Sequence, residues 1–280
     1  MLPNLICIGA AKCGTTSLHQ YLDLHPEIFM AAGKELDFFT GPEWNWRLGL
    51  DWYHAQFPVD APVRGETSHT YSNHPSAKGV PERIKETLGE VKLLYVVTDP
   101  VVRLISDWVG NYAKGYERMT FDELVDSPHL EQTEYVSMGR YAHQLSQYRK
   151  VFEDEDLKVV LRDDLNVQPD DVMAEIFAFL GVDTSFRSAS FNVVHNPSAP
   201  KRRDRRLAPL LRRIPGAVRV ESRGISTQGW PGRIRRLPFS RRIARPIPTH
   251  AQRERLRSCF AEDAERLREM TGQDFPEWSV

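Results

Sequence analysis

Cysteine is scarce in this chain: its 280 residues include only Cys7, Cys13 and Cys259. Three scattered thiols build no disulfide framework, and without a CxxC pair or a Cys/His spacing no zinc module and no metal site are expected. Long apolar runs are missing too, none approaching the roughly 20 residues that cross a bilayer. No basic stretch or cleavage site precedes the strand-like Leu5-Ile6-Cys7-Ile8, so the chain reads as cytoplasmic with no membrane span. No internal repeat is visible. Hydrophobic residues make up 41%, aromatics 10% and charged residues 27%, a globular balance that excludes disorder, collagen and coiled coil as descriptions of the whole.

The formal net charge is only −1, but it is unevenly distributed. Residues 201–245 contain 15 Lys/Arg against 2 Asp/Glu, which leaves 22 against 36 in the rest. An acidic body and a basic segment attract each other or a shared anion. The basic segment lacks regularly interleaved aromatics and any nucleic-acid module, so nucleic acid is not the partner it points to.

The pattern along the chain alternates strand and helix. Leu5 to Ile8 reads as a strand, Gly9 to Gly14 as a turn and Thr15 to Leu24 as a helix that ends before Pro26. Further strands are expected at Pro62 to Glu66, Lys92 to Thr98 and Leu157 to Leu161, with helices at Pro81 to Leu88, Val101 to Tyr112 and Asp170 to Leu180. This alternation predicts an α/β fold, a three-layer α/β/α sandwich with a central parallel sheet. Tyr141, Leu145, Tyr148 and Phe152 share one face of a helix expected over Tyr135 to Phe152. Eight prolines between Asn196 and Pro248 predict irregular loops and short helices, and Thr249 caps a last helix ending near Thr271-Gly272. We expect one domain over 1–280, with a core of about 4–182. The basic segment 196–248 and the helix 249–272 are expected to pack on that core or close over it.

Gly9-Ala10-Ala11-Lys12-Cys13-Gly14-Thr15-Thr16 joins the first strand to the first helix. There, successive backbone N–H groups and the positive helix end face one small volume, which makes an anion cradle. The triphosphate-binding loop GxxxxGK[ST] has lysine directly after its second glycine. Here Thr15 holds that place and the lysine is Lys12, an arrangement suited to a shorter, metal-free anionic tail.

The segment resembles the 5′-phosphosulfate loop of sulfotransferases that use 3′-phosphoadenosine 5′-phosphosulfate (PAPS), approximately GxxKxGTTxLxxxLxxHPxI. Gly9, Lys12, Gly14, Thr15, Thr16, Leu18, Leu22, His25, Pro26 and Ile28 occupy the matching positions. The resemblance continues through Lys34-Glu35-Leu36-Asp37-Phe38-Phe39, Gly65-Glu66-Thr67-Ser68-His69-Thr70-Tyr71 and Val80-Pro81-Glu82-Arg83-Ile84, to about Leu180. It is nearest the heparan-type and bacterial carbohydrate sulfotransferases. It implies the P-loop NTPase-like sulfotransferase fold and transfer of a sulfuryl group from PAPS to a hydroxyl or amine of a carbohydrate, glycolipid or secondary metabolite. The released product would be 3′,5′-bisphosphoadenosine, and the partner a small-molecule or glycan acceptor. A P-loop nucleotide kinase and a non-catalytic nucleotide- or nucleic-acid-binding protein are the alternatives.

The same resemblance assigns roles. Lys12, Cys13, Gly14, Thr15, Thr16 and Ser17 hold the 5′ end of the donor, and Lys12 stabilises the departing phosphate. In Thr98-Asp99-Pro100-Val101-Val102-Arg103-Leu104-Ile105-Ser106, Arg103 and Ser106 are expected to bind the 3′-phosphate, although Thr98 stands where the family usually has arginine. Asp99 is the kinase reading's candidate Mg²⁺ ligand. Lys201 and Arg202 are candidates to close over the nucleotide. Glu35 takes the position of the catalytic base, with Asp37, Glu66 and His69 as rivals; Thr67 replaces the lysine of close relatives. Trp44, Trp46, Trp52 and Tyr53 are candidates to stack on an acceptor, or to be ordinary packing.

Overall fold

The computed structural model describes residues 1–193, 202–204 and 240–280. Five parallel strands form its sheet: β1 (Leu5–Gly9), β2 (Ile28–Met30), β3 (Val63–Thr67), β4 (Lys92–Val97) and β5 (Leu157–Leu161), in the order β2-β3-β1-β4-β5. The two central strands β1 and β4 are apolar and almost wholly buried. That is why they read as continuous hydrophobic runs rather than as alternating ones. Each fully buried aliphatic side chain there contributes about 1.5–3 kcal/mol.

Helices α1 (Thr15–Asp23), α2 (Gly49–His54), α3 (Val80–Leu88), α4 (Pro100–Lys114) and α5 (Phe121–Asp126) lie within the first part of the chain. They are followed by α6 (Glu134–Ser137), α7 (Tyr141–Tyr148), α8 (Arg162–Val167), α9 (Pro169–Leu180) and α10 (His250–Thr271). The sheet and most helices share one apolar core, and α4, α5, α6 and α10 surround a second cluster around Leu104, Trp108, Val125 and Phe260. Strand and helix positions agree with the sequence pattern to within a residue or two.

Two expectations fail. The single helix over Tyr135 to Phe152 is broken into α6 and α7 around Gly139, where a Cβ would lie 2.7 Å from the Phe260 ring. The new helix start is stabilised from outside: Asp263 on α10 accepts the N–H groups of Ala142 and His143 at 2.9 Å each. A carboxylate there satisfies orphan amides and meets the positive end of α7. The second failure concerns the basic segment, whose described ends pair as an antiparallel ribbon, β6 (Arg202–Asp204) with β7 (Ser240–Arg242), rather than as loops. α10 keeps its expected bounds, with a capping box between Thr249 and Gln252 and a left-handed Gly272 behind it.

Candidate active site

The strand-to-helix loop is shaped by its glycines. Gly9 has φ +143, and a Cβ there would sit 2.1 Å from Ser72 Oγ. Gly14 has φ +90 and opens α1 without any side-chain cap. Consequently the amides of Gly14, Thr15 and Thr16 have no hydrogen-bond acceptor among the described residues, and all three residues line a cavity of about 920 Å³. Unpartnered N–H groups at a helix start are the donors an anion needs. Lys12 lines the same cavity, 4.0 Å from Asp107 on α4.

Opposite the loop stands Glu35. Its backbone, at φ 62, is left-handed, and its N–H donates to Thr67 O at 2.8 Å, which ties it to the end of β3. Lys34 Nζ donates to Thr15 Oγ1 at 3.2 Å and also to Glu35 Oε1, bridging the loop and the carboxylate. Glu35 Oε2 accepts the His69 backbone N–H at 2.9 Å and Nδ1 at 2.6 Å. Burial pushes this carboxyl up, but the bond and charge of His69 and the Lys34 ammonium outweigh it and hold the pKa at about 2.

The rivals to Glu35 separate. Glu66 is fully buried beneath the site, bonded by Tyr53 at 2.6 Å, Tyr71 at 2.9 Å and Ser68 at 2.8 Å, and burial raises it to about 7. It does not line the cavity. Asp37 accepts Thr70 Oγ1 at 2.6 Å, and burial raises its pKa. His69 does line the cavity. Of the aromatics, Trp44 lines the cavity, whereas Trp46, Trp52 and Tyr53 pack against Phe38.

At the start of α4 the structure departs from the sequence reading. Arg103 is 0% exposed: its guanidinium donates to the Tyr135 carbonyl and pairs with Asp107 at 3.5 Å. It faces the α6–α7 break and does not reach the cavity. Its role is to neutralise Asp107 inside the protein, since a buried charge needs a partner. Ser106 does line the cavity, and the cation beside it is Arg245, which donates to Ser106 Oγ at 3.2 Å and to Val102 O at 3.3 Å. Burial, then the charge of Arg162, lowers the Arg245 pKa; Arg162 itself lies 3.1 Å from a Cβ built on Gly14. The Arg245 guanidinium beside the half-buried Ser106 hydroxyl, which itself donates to Val102 O at 2.8 Å, forms a site that an anion stabilises, whereas the Arg162 guanidinium bonds Asp163 at 2.9 Å. Sequence reasoning missed Arg245 because 139 residues separate it from Ser106.

Three further candidates do not present side chains to the cavity. Cys13 is buried, its Sγ 3.5 Å from the Tyr141 hydroxyl, and Ser17 is buried beside Tyr21. Asp99 caps α4 by accepting Val101 N at 2.8 Å and Val102 N at 2.9 Å, so it is not placed as a cation ligand. Thr98 bonds Asp163 at 3.1 Å. Lys201 lies outside the described residues, and of Arg202 only the backbone, in β6, is described. Among the described residues no cluster of three or more His, Cys, Asp or Glu is arranged to hold a metal ion, and no helix is long and apolar enough to cross a membrane.

A parallel sheet whose first strand feeds an uncapped helix start, with Arg245 beside Ser106 on α4, is an arrangement able to hold an anion. The chain matches the sulfotransferase domain family over residues 2–207, and it belongs to that family. It is 31% identical over 205 residues to mouse heparan sulfate glucosamine 3-O-sulfotransferase 5, covering 70% of this chain and 57% of the mouse protein. It is 28% identical over 193 residues to the bifunctional heparan sulfate N-deacetylase/N-sulfotransferase 1 of Caenorhabditis elegans, covering 64% of this chain and 22% of the other. The chain thus spans little more than half of the first relative and under a quarter of the second. The crystal structure of a sulfotransferase from Alicyclobacillus acidocaldarius superposes over the full length of both chains with a TM-score of 0.71 at 24% identity, which shows the shared fold.

Proposed function

We propose that the protein transfers the sulfuryl group of PAPS to a hydroxyl, or less readily an amine, of a carbohydrate or similar hydroxylated acceptor, releasing 3′,5′-bisphosphoadenosine. The observation that carries this reading is a single cavity that joins unpartnered amides at 14–16, the Lys12 and Lys34 ammonium groups and an ionised Glu35. PAPS supplies an activated sulfuryl group on a phosphate leaving group. The amides of Gly14 to Thr16 and Lys12 hold that phosphate and stabilise the charge that grows on it as the bridging S–O bond breaks. Lys34, already on Thr15, is placed to take the sulfuryl oxygens. Ser106 and Arg245 hold the 3′-phosphate, Arg245 replacing the arginine absent at Thr98. Glu35 supplies the negative charge that lets the acceptor hydroxyl lose its proton. Sulfuryl transfer needs in-line positioning more than covalent help, as phosphoryl transfer does. The names of the heparan relatives support a carbohydrate acceptor.

Calorimetry tests the donor assignment. 3′,5′-Bisphosphoadenosine is expected to bind in the presence of EDTA and at least tenfold more tightly than ATP, and Lys12→Ala is expected to weaken it. Comparable ATP affinity that depends on Mg²⁺ would replace this reading with the kinase one.

A further inference from the structure

Residues 274–280 line no part of the cavity, yet they reach the elements that form both anion sites. Arg268 of α10 folds this segment back onto the body, donating to Asp274 O at 3.0 Å and to Val280 O at 2.8 Å. Phe275 and Trp278 are buried and stacked, with ring centroids 4.4 Å apart. Val280 packs against both apolar clusters, the one that includes the sheet and the one around α4.

Two adjacent residues carry the contacts. Trp278 meets the ring of Tyr141 with centroids 5.7 Å apart, and the Tyr141 hydroxyl lies 3.5 Å from Cys13 Sγ in the phosphate loop. The Ser279 N–H donates to Asp99 Oδ2 at 2.5 Å, while Asp99 Oδ1 accepts the first free amides of α4, Val101 N and Val102 N. Asp99 is buried, so three main-chain donors hold its two oxygens and together fix where α4 begins. From there α4 carries Ser106, and Val102 O is itself an acceptor for Arg245. A close-packed ring and a bond to a buried carboxylate on neighbouring residues cannot shift independently.

Resting on the sulfotransferase reading, we infer that Trp278 and Ser279 are positioning residues that keep the phosphate loop and the start of α4 at the spacing a 3′,5′-bisphosphorylated nucleotide spans. Trp278 acts on the loop through Tyr141 and Cys13. The Ser279 amide acts on Ser106 and Arg245 through Asp99.

Calorimetry with bisphosphoadenosine and with adenosine 5′-phosphate tests this on the full chain, at a temperature where circular dichroism shows each variant folded. Ser279→Pro removes the amide hydrogen; it should weaken bisphosphoadenosine about tenfold and adenosine 5′-phosphate by less than about twofold. Ser279→Ala keeps the amide and changes only an exposed side chain, so the ratio of the two affinities should stay at the wild-type value. Trp278→Ala should weaken both nucleotides together, by about fivefold. Trp278→Phe keeps an aromatic ring against Tyr141 and should recover most of that loss. A role in stability alone would lower Tm in Ser279→Pro and Trp278→Ala and leave both affinities unchanged, which overturns the inference. Equal losses in Ser279→Pro and Ser279→Ala overturn it too. Should Ser279→Pro not fold, the Trp278 pair decides: recovery by phenylalanine upholds the inference, and equal binding by Trp278→Ala and the wild type overturns it. Failure of the wild type to bind bisphosphoadenosine would instead sink the sulfotransferase reading.

Discussion

The two anion sites proposed for this protein are built in opposite ways. The first is made by eight consecutive residues, 9–16, and most of its donors are backbone amides at one strand-to-helix junction. The second is made by side chains from two distant segments, Ser106 on α4 and Arg245 ahead of α10. Their floors differ as well. Under the first lies Glu66, held by three hydroxyl groups; under the second lies the Arg103–Asp107 ion pair. A backbone-built site depends on local conformation, whereas a side-chain-built site depends on packing elsewhere in the fold.

This contrast can be broken at four points, taken from the largest effect to the smallest. Lys12→Ala removes the charge nearest the leaving phosphate, and turnover is expected to fall about 10²–10³-fold, as when one oxyanion donor is lost. Arg103→Met is expected to act on stability instead. It leaves Asp107 with Lys12, 4.0 Å away, as its remaining cation, at a cost of about 3 kcal/mol, the low end for a broken buried pair, seen as a drop in Tm. A selective loss of 3′-phosphate binding with unchanged Tm would return Arg103 to the ligand site. The Glu66 floor predicts a pH effect of on the order of 3 kcal/mol. A carboxyl raised to about 7 favours the folded state while protonated, so stability should fall as pH rises from about 4.5 to about 7. Glu66→Gln should flatten that slope in denaturant titrations. Smallest, Arg245→Ala should weaken bisphosphoadenosine by about 1.5–3 kcal/mol, a charge-assisted bond, and leave adenosine 5′-phosphate unaffected. Equal losses for both nucleotides would remove Arg245 from the 3′-phosphate.

The legibility of each feature follows from the range of the forces that make it. The parallel sheet was readable because β1 and, after Lys92, β4 are buried on both faces and so are apolar. The Tyr135–Phe152 helix misled because its periodic apolar face continues across Gly139, while the break is imposed by Phe260 and by Asp263 from α10. Arg103 misled for a related reason. Its position three residues before Ser106 suggested a shared face, but Asp107, one turn further along, draws the guanidinium inward. The Glu35–His69 contact joins residues 34 apart across a sheet edge, and no local pattern encodes it.

By itself, the sequence determined the phosphate loop, the displaced lysine and the alternation of strands with helices, because each arises from glycine conformations and hydrophobic periodicity within about twenty residues. Only the tertiary structure decided which arginine turns inward and which meets Ser106, and that Glu35 faces an imidazole. Side-chain direction is set by what packs against it, and those partners lie far away along the chain.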